Sequence, residues 1–426
     1  MCGQSDAEAF YSAYSGSTAY QPASPFCIVS SSQGSRIQVQ PMAFQPLVFS
    51  WNRENIGSIT WPRSETAEIA RAFLVPILQQ RVETHIENVH ADLELLQVDD
   101  HIIPVVVADS NELDAWIVSL YSQFVCYPLD ELRRHCNPTL ANICSVLPIA
   151  LGGLLRLGRT NRIVYVNNWL TSTSLYPALG REEAAAILEY LVDRFPRHAI
   201  VFRSLNWKTV GPLFQTLLDL RGRRVFTRHV YVFSTSEPNR ATKSQRAHLR
   251  RDYNLLKRHD YEILSSPPVE PPSPERLKKL YDDLYIFKYS KFNPRYTIEF
   301  FRAFITRRQL PLLMLRKNGM VDAVSVLFAL NGVSTVPIFG YDMSLPKATG
   351  LYRSLSAATL SAAQAGGLID HAGSGAGEFK SQRGYEQVAE YAVAFTRHLP
   401  WVRRLVWRLL AWYADWIVYP FSQRYG

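Results

Sequence analysis

The sequence predicts an α/β protein built from mixed sheets flanked by helices, and three observations carry this. Strand and helix patterns alternate between residues 162 and 234. In the second half, Asn318-Gly319 and Asn331-Gly332 punctuate a β-rich stretch as two hairpin turns. Apolar residues make up 47% of the chain and charged residues 19%, enough apolar material for real cores. The 426 residues fit two or three domains at roughly 100–200 residues each.

Taken in order, residues 1–60 read as a loosely ordered arm, rich in Ser, Gln, Ala and Pro at its start. Apolar spacings of three and four predict helices over TAEIARAFLVPILQQ and VETHIENVHADLELL. HIIPVVVADS is a β-branched strand. DAWIVSLYSQFVCYPLDELRRH passes from strand-like to helical. RIVYVNNWL, HAIVFRSLN and VFTRHVYVFS are strands, separated by the helices REEAAAILEYLVDRFP and PLFQTLLDLRGRR. KSQRAHLRRDYNLLKR is a basic helix, and SSPPVEPPSPE, with five prolines, is an extended linker. Two helices, three antiparallel strands ending in FGYD, a Gly-led helix, the short strand LIDHAG and the closing strand YEQVAEYAVAF follow. The predicted units are 61–236 and 237–397, with a helical tail over 398–426.

Lys and Arg outnumber Asp and Glu by 46 to 37, and with a pI near 9.2 the surface attracts polyanions. The five cysteines, Cys2, Cys27, Cys126, Cys136 and Cys144, contain no CxxC and are odd in number. A disulfide framework or zinc site is not expected, and no metal is implied; buried thiols in a reducing cytoplasm are. MCGQSDAEAF lacks the pattern of a signal peptide, and no apolar stretch is long and unbroken enough to predict a spanning helix.

The stretch HAGSGAGEFKSQRGYE carries four glycines. It is not a P-loop, nor a dinucleotide fingerprint, because Glu378 stands where each requires glycine. The better phosphate cradle is LPKATGLYRSL, where Lys347 and Gly350 precede a helix whose unpaired N–H groups favour an anion. Read locally, the same residues also suit a plain strand-to-helix turn.

The order of elements in the second half is that of the GNAT fold, and KATG resembles the start of its pyrophosphate signature, with Tyr352 in place of the third small residue. Residues 100–397 resemble the large, tandem-module GNAT-like acyltransferases related to the Fem-type aminoacyltransferases. The resemblance rests on RAHLRRDYNLLKR, FGYD, LPKATGLYRSL and GSGAGEFKSQRG; VNNWLTSTSLYP and HAIVFRSLN read like a degenerate first module. It implies two GNAT-like modules in tandem and transfer of an acyl group from acyl-CoA, or from acyl-phosphopantetheine on an acyl carrier protein, to a small-molecule amine. Such chemistry needs a base for the amine and donors for the oxyanion and leaving group.

Asp342 and Glu378 are candidate bases, with Asp370 and His371 behind them. Tyr341 and Tyr352 are candidate proton donors. Lys380 and Arg383 would bind donor phosphate or hold the acyl oxygen, and Lys347, Gly350 and Arg353 would line the donor site. Each has a bland alternative: Asp342 as a turn cap, Tyr352 as core, Lys380 as a solvated charge.

Two features leave rival readings open. Lys243, Arg246, His248, Arg250, Arg251, Lys257 and Arg258 crowd one helix, which suits tRNA, and so a Fem-like aminoacyl-tRNA donor, as well as an acidic carrier or a plain surface. The tail holds Trp401, Trp407, Trp412 and Trp416, which suit packing on its own domain, a partner, or peripheral contact with a membrane by an otherwise cytoplasmic protein. A degenerate, non-enzymatic binding module is the third reading.

Overall fold

In the computed structural model, which describes residues 46–109, 111–234, 241–265, 272–307 and 310–425, a single twelve-stranded sheet runs through the chain. The first six strands are β1 (Val48–Trp51), β2 (Asp92–Val98), β3 (His101–Asp109), β4 (Arg162–Val166), β5 (Ala199–Leu205) and β6 (Arg223–Phe233). The second six are β7 (Glu262–Ser265), β8 (Leu312–Lys317), β9 (Met320–Leu330), β10 (Val333–Tyr341), β11 (Ile369–Ala372) and β12 (Glu386–Phe395).

Across the sheet the order is β1-β2-β3-β4-β5-β12-β6-β11-β10-β9-β8-β7. Each strand of the first half therefore mirrors the strand six places later. Pairing directions repeat as well. The first four strands of each half are antiparallel. A parallel pair follows, β4–β5 or β10–β11, joined by the crossover helix Arg181–Arg194 or Leu351–Ala365. The sixth strands then trade places: β6 pairs with β11 and β12 with β5. They meet along the centre from Glu386–Val232 to Ala394–Arg223. The fold is two modules of like topology in tandem that exchange their closing strands.

Local chemistry explains the elements. Asn318 and Gly319, then Asn331 and Gly332, have positive φ at both central positions, the backbone a tight two-residue hairpin needs. Thr242 and Gln245 form a reciprocal capping box that starts the basic helix Lys243–Arg258. Asn137 caps the helix Pro138–Leu157 by accepting from the Leu140 N–H, with Pro138 in the first turn.

Four expectations change. The arm is shorter than predicted, since β1, within residues 1–60, pairs with β2 as an edge strand; the stretch before residue 46 lies outside the described residues. The cut at 236 falls inside one continuous sheet, because β6 and β12 cross between the halves. ADLELL is strand and not helix: Leu93, Leu95 and Leu96 are all buried, so a run buried on both faces mimics helical spacing. Pro138–Leu157 is a 20-residue helix that its internal Pro148, Gly152 and Gly153 hid. Most of the proline-rich linker lies outside the described residues.

Gly340 fixes how the helix Pro274–Asp282 sits on β10. A Cβ there would lie 2.6 Å from the Leu280 carbonyl carbon and oxygen, which are backbone and cannot swing away. Gly340→Ala should destabilise the protein by about 1–3 kcal/mol, as overpacking does. The check is a lower urea midpoint with an unchanged m-value.

Candidate active site

β10 and β11 pair only over Val333–Ile369, Ser334–Asp370 and Thr335–His371. Beyond that point β10 bulges between Thr335 and Ile338 and runs on to Tyr341 beside β9. Among the described residues its other edge has no ladder partner from Val336 onward, so the sheet parts there. The parting is a cleft in the ladder between β10 and β11, and a strand edge left unpaired can offer N–H and C=O groups to an extended ligand. In the first half the matching place is filled. Asn167, Asn168 and Trp169 follow β4 and are buried, and the Trp169 Nε1–H donates to the Asn167 Oδ1 and Leu175 carbonyl, each at 3.1 Å.

One wall of the second cleft comes from LPKATGLYRSL. Gly350 has a φ of 71° and immediately precedes the 15-residue helix Leu351–Ala365. A Cβ there would be strained and would lie 2.7 Å from Leu255 Cδ1. Lys347 lies exposed in the preceding turn. Tyr352 packs edge-on against Phe339, Tyr341 and Phe379. Burial, with Tyr289 and Tyr341 nearby, pushes its hydroxyl well above the usual value, so it keeps its proton.

Asp252 holds this wall to the glycine-rich loop. It is fully buried on the basic helix, and accepts from Arg353 Nε at 2.7 Å and from Arg383 Nε at 2.5 Å. The Arg383 guanidinium lies 3.4 Å over the Phe379 ring and donates to the Phe379 carbonyl. Arg383 is thus spent on the protein itself. Arg353 is partly exposed and shares its charge with Asp252.

In the loop, Lys380 closes the turn by donating to the carbonyls of Gly373 and Ser374, and its ammonium lies 5.2 Å over Tyr231. Burial lowers it to about 7, with Arg228 adding to the drop and Asp370 opposing it. Asp370 is buried, accepts from Tyr385 Oη at 2.6 Å and from Ser334 Oγ at 3.2 Å, and is raised by burial. Glu378 stands exposed and accepts from Gln382.

Asp342 lies elsewhere in function. Its carboxylate accepts from the Ser344 N–H at 2.9 Å and Oγ at 2.5 Å, and pairs with Arg276 at 2.9 Å. Burial works to raise it, but Ser344 and Arg276 outweigh burial and hold it below its ordinary value. That is the turn-capping role, and a carboxylate so well satisfied is a poor base.

Behind the cleft, His371 on β11 faces Glu390 on β12 at 3.3 Å, and Arg228 on β6 donates to Glu390 at 2.7 Å. Arg228 also reaches the Ser172 carbonyl at 2.9 Å, and both Arg228 and Arg203 lie 5.0 Å from the Trp116 ring. Asp252, Arg228, Tyr385 and Glu390 were not singled out from the sequence. Two carried a signal. Asp252 falls three and four residues before Leu255 and Leu256, on the apolar stripe of its helix, and Glu390 alternates with Ala392 and Ala394 on one strand face. The free thiols Cys126, Cys136 and Cys144 are partly buried, away from these groups; Cys2 and Cys27 lie outside the described residues.

No family model matches the chain, and no curated protein matches it. Solved structures do. It is similar to L-PGS from Bacillus licheniformis, with 17% identity over 54% of this chain and 78% of that one, at a TM-score of 0.39. FemX gives 10% identity over 54% and 79%, at 0.37. A tandem GNAT protein from the clavulanic acid biosynthesis pathway gives 8% over 82% and 98%, at 0.36. At these scores the likenesses are distant, and we take neither substrate nor mechanism from them.

Two outcomes test this geometry. Asp252→Ala should cost about 3–5 kcal/mol in urea unfolding, since it strands a buried arginine. Glu390 gives a pH test: burial would raise its carboxyl, but Arg228 and His371 outweigh that and hold it at about 2, against 4.5 for the ordinary group. Its stabilisation is present above 4.5 and is lost as pH falls toward 2. Wild type should lose more stability than Glu390→Gln across that window, measured by denaturant titration at each pH.

Proposed function

We propose that the chain is an N-acyltransferase that moves an acyl group from a thioester donor, acyl-CoA or acyl-phosphopantetheine on a carrier protein, to an amine. The observation that carries this is the parting of β10 from β11 beside the Gly350-led helix. An extended, amide-bearing pantetheine arm can add to the open β10 edge as a strand would. Its phosphates can then rest on the helix N-terminus near Lys347. The basic helix packs against the helix Leu351–Ala365, and Lys243, Arg250, Arg251 and Lys257 are exposed on it, so a polyanionic donor meets positive charge.

In this reading Lys380 is the base. With its ammonium lowered to about 7, a large share of Lys380 is neutral near neutral pH and can take a proton from the attacking amine. The amine nitrogen bonds to the acyl carbon, N–H groups of the open β10 edge steady the oxyanion, and the C–S bond breaks. Tyr352, still protonated, donates a hydrogen bond to the departing sulfur, and the proton held by Lys380 leaves with the thiol. In this reading Glu378, exposed on the glycine-rich loop, meets the acceptor amine.

A second reading, transfer from an aminoacyl-tRNA, is favoured by the outward basic residues of Lys243–Arg258. Thermal unfolding with and without coenzyme A and acyl-CoAs separates the two. A ligand at 100 times its Kd adds about 2.7 kcal/mol, so a saturable rise in Tm supports the thioester donor. No rise with any of them, together with ribonuclease-sensitive activity, would move the assignment to tRNA. Once an acceptor is found, the rate should climb with pH through about 7 in wild type. Lys380→Met should lose that limb and at least about a hundredfold in kcat; an unchanged profile would remove Lys380 from the mechanism.

A further inference from the structure

Two helices that pack on each other each carry an exposed apolar side. Among the described residues, Pro138–Leu157 is the one helix long and apolar enough to cross a membrane. Its inner stripe, Ala141, Pro148, Leu151, Gly152 and Leu155, is buried. Its outer side exposes Ile143 at 66% and Ile149 at 61% to solvent. It cannot span a bilayer without coming off the protein. Gly152 lies under Tyr121, and Gly158 just past its end lies so close to Val406 that a Cβ would sit 2.6 Å away. It is therefore held flat, as an in-plane element about 30 Å long.

The neighbour it meets is the tail helix Trp401–Tyr413. Arg403, Val406, Trp407, Leu410 and Ala411 face inward, and Arg403 donates to the carbonyls of Gly158, Arg159, Arg162 and Arg197, which pins the tail to the first half. The outer stripe is Trp401, Leu405, Leu409, Trp412 and Trp416, with Trp416 70% exposed. At 3.6 residues per turn, these fall within about 80° of one another. Arg404 and Arg408 flank the stripe on the side away from Pro138–Leu157. There they join Arg221, Arg223, Thr396 and Arg397 around one shallow cavity whose lining contains no acid.

We propose that this face docks on an anionic phospholipid bilayer, with the two apolar stripes in the interface and the arginine cavity on lipid phosphates. The inference does not depend on the transferase reading. Tryptophan and aliphatic side chains beside a cationic rim match a membrane surface chemically, apolar to acyl chains and guanidinium to phosphate. A second copy matches less well. A twofold contact sets a patch against itself, so five arginines would meet their own images.

The test is flotation of the full chain with vesicles of phosphatidylcholine alone and with phosphatidylglycerol added. Wild type should float with the second and not the first, less so as salt rises. Arg404→Glu with Arg408→Glu should weaken binding at least about thirtyfold, since the attraction of two basic residues to an anionic surface is lost and repulsion replaces it. Trp412→Ser with Trp416→Ser should weaken it at least tenfold while leaving Tm unchanged, since both rings are exposed. No flotation by wild type, or equal flotation with both vesicles, overturns the proposal. So does a dimer in sedimentation velocity that these tryptophan substitutions disperse when vesicle binding is absent.

Discussion

The exchange of β6 and β12 is the constraint on which the rest depends. Each half builds five strands of its own and needs the other half's last strand to continue the sheet. The two halves therefore cannot fold to completion separately, and the ion network at the exchange reflects this. Glu390 comes from the second half and Arg228 from the first; where their strands cross Glu390 is buried and Arg228 partly so. A buried pair earns its place only when its remaining hydrogen-bonding capacity is met. Arg228 meets its share through the loop at Ser172 and Thr173, so the central strands also set the loop that fills the first parting.

The same economy separates the two partings of the sheet. In both halves a parallel pair follows four antiparallel strands, so topology alone opens two clefts. The first is closed by side chains that satisfy each other, with Asn167, Asn168 and Trp169 hydrogen-bonded among themselves and to backbone. The second lacks such a plug. Its loop folds back on itself through Lys380, and its walls are held by Asp252 from outside the cleft. That carboxylate grips two arginines, Arg353 and Arg383, and is itself fully buried.

How much of this was legible follows from the range of the forces. The Asn-Gly hairpins, the Gly350 helix start and the closing strand are decided by a few adjacent residues, and the sequence displays them. Strand exchange is not local: nothing in VFTRHVYVF or EQVAEYAVAF specifies which neighbour each will take, because alternation sets a face and not a partner. The same limit applies to the site. Lys380 and Gly350 announce themselves beside glycines. Asp252 sits among seven basic residues, and no neighbour in the chain marks which arginines it will hold. Arg383 and Asp342 looked available because their partners, Asp252 and Arg276, lie 131 and 66 residues away in the chain.

Net charge, which decided nothing when summed, becomes informative once placed. Two groups of basic side chains have different neighbours. On Lys243–Arg258 the exposed basic side chains lie on a helix that packs against Leu351–Ala365. Around Arg221, Arg404 and Arg408 they border exposed tryptophan and aliphatic side chains. A soluble polyanion gains from the first and has nothing to do with the second's apolar area. A bilayer uses both halves of the second, because the free energy of placing the apolar stripes in lipid and the attraction to phosphate act at the same depth. Charge reversal on one surface should therefore leave the other's ligand in place, and the two basic regions are separable parts of one molecule.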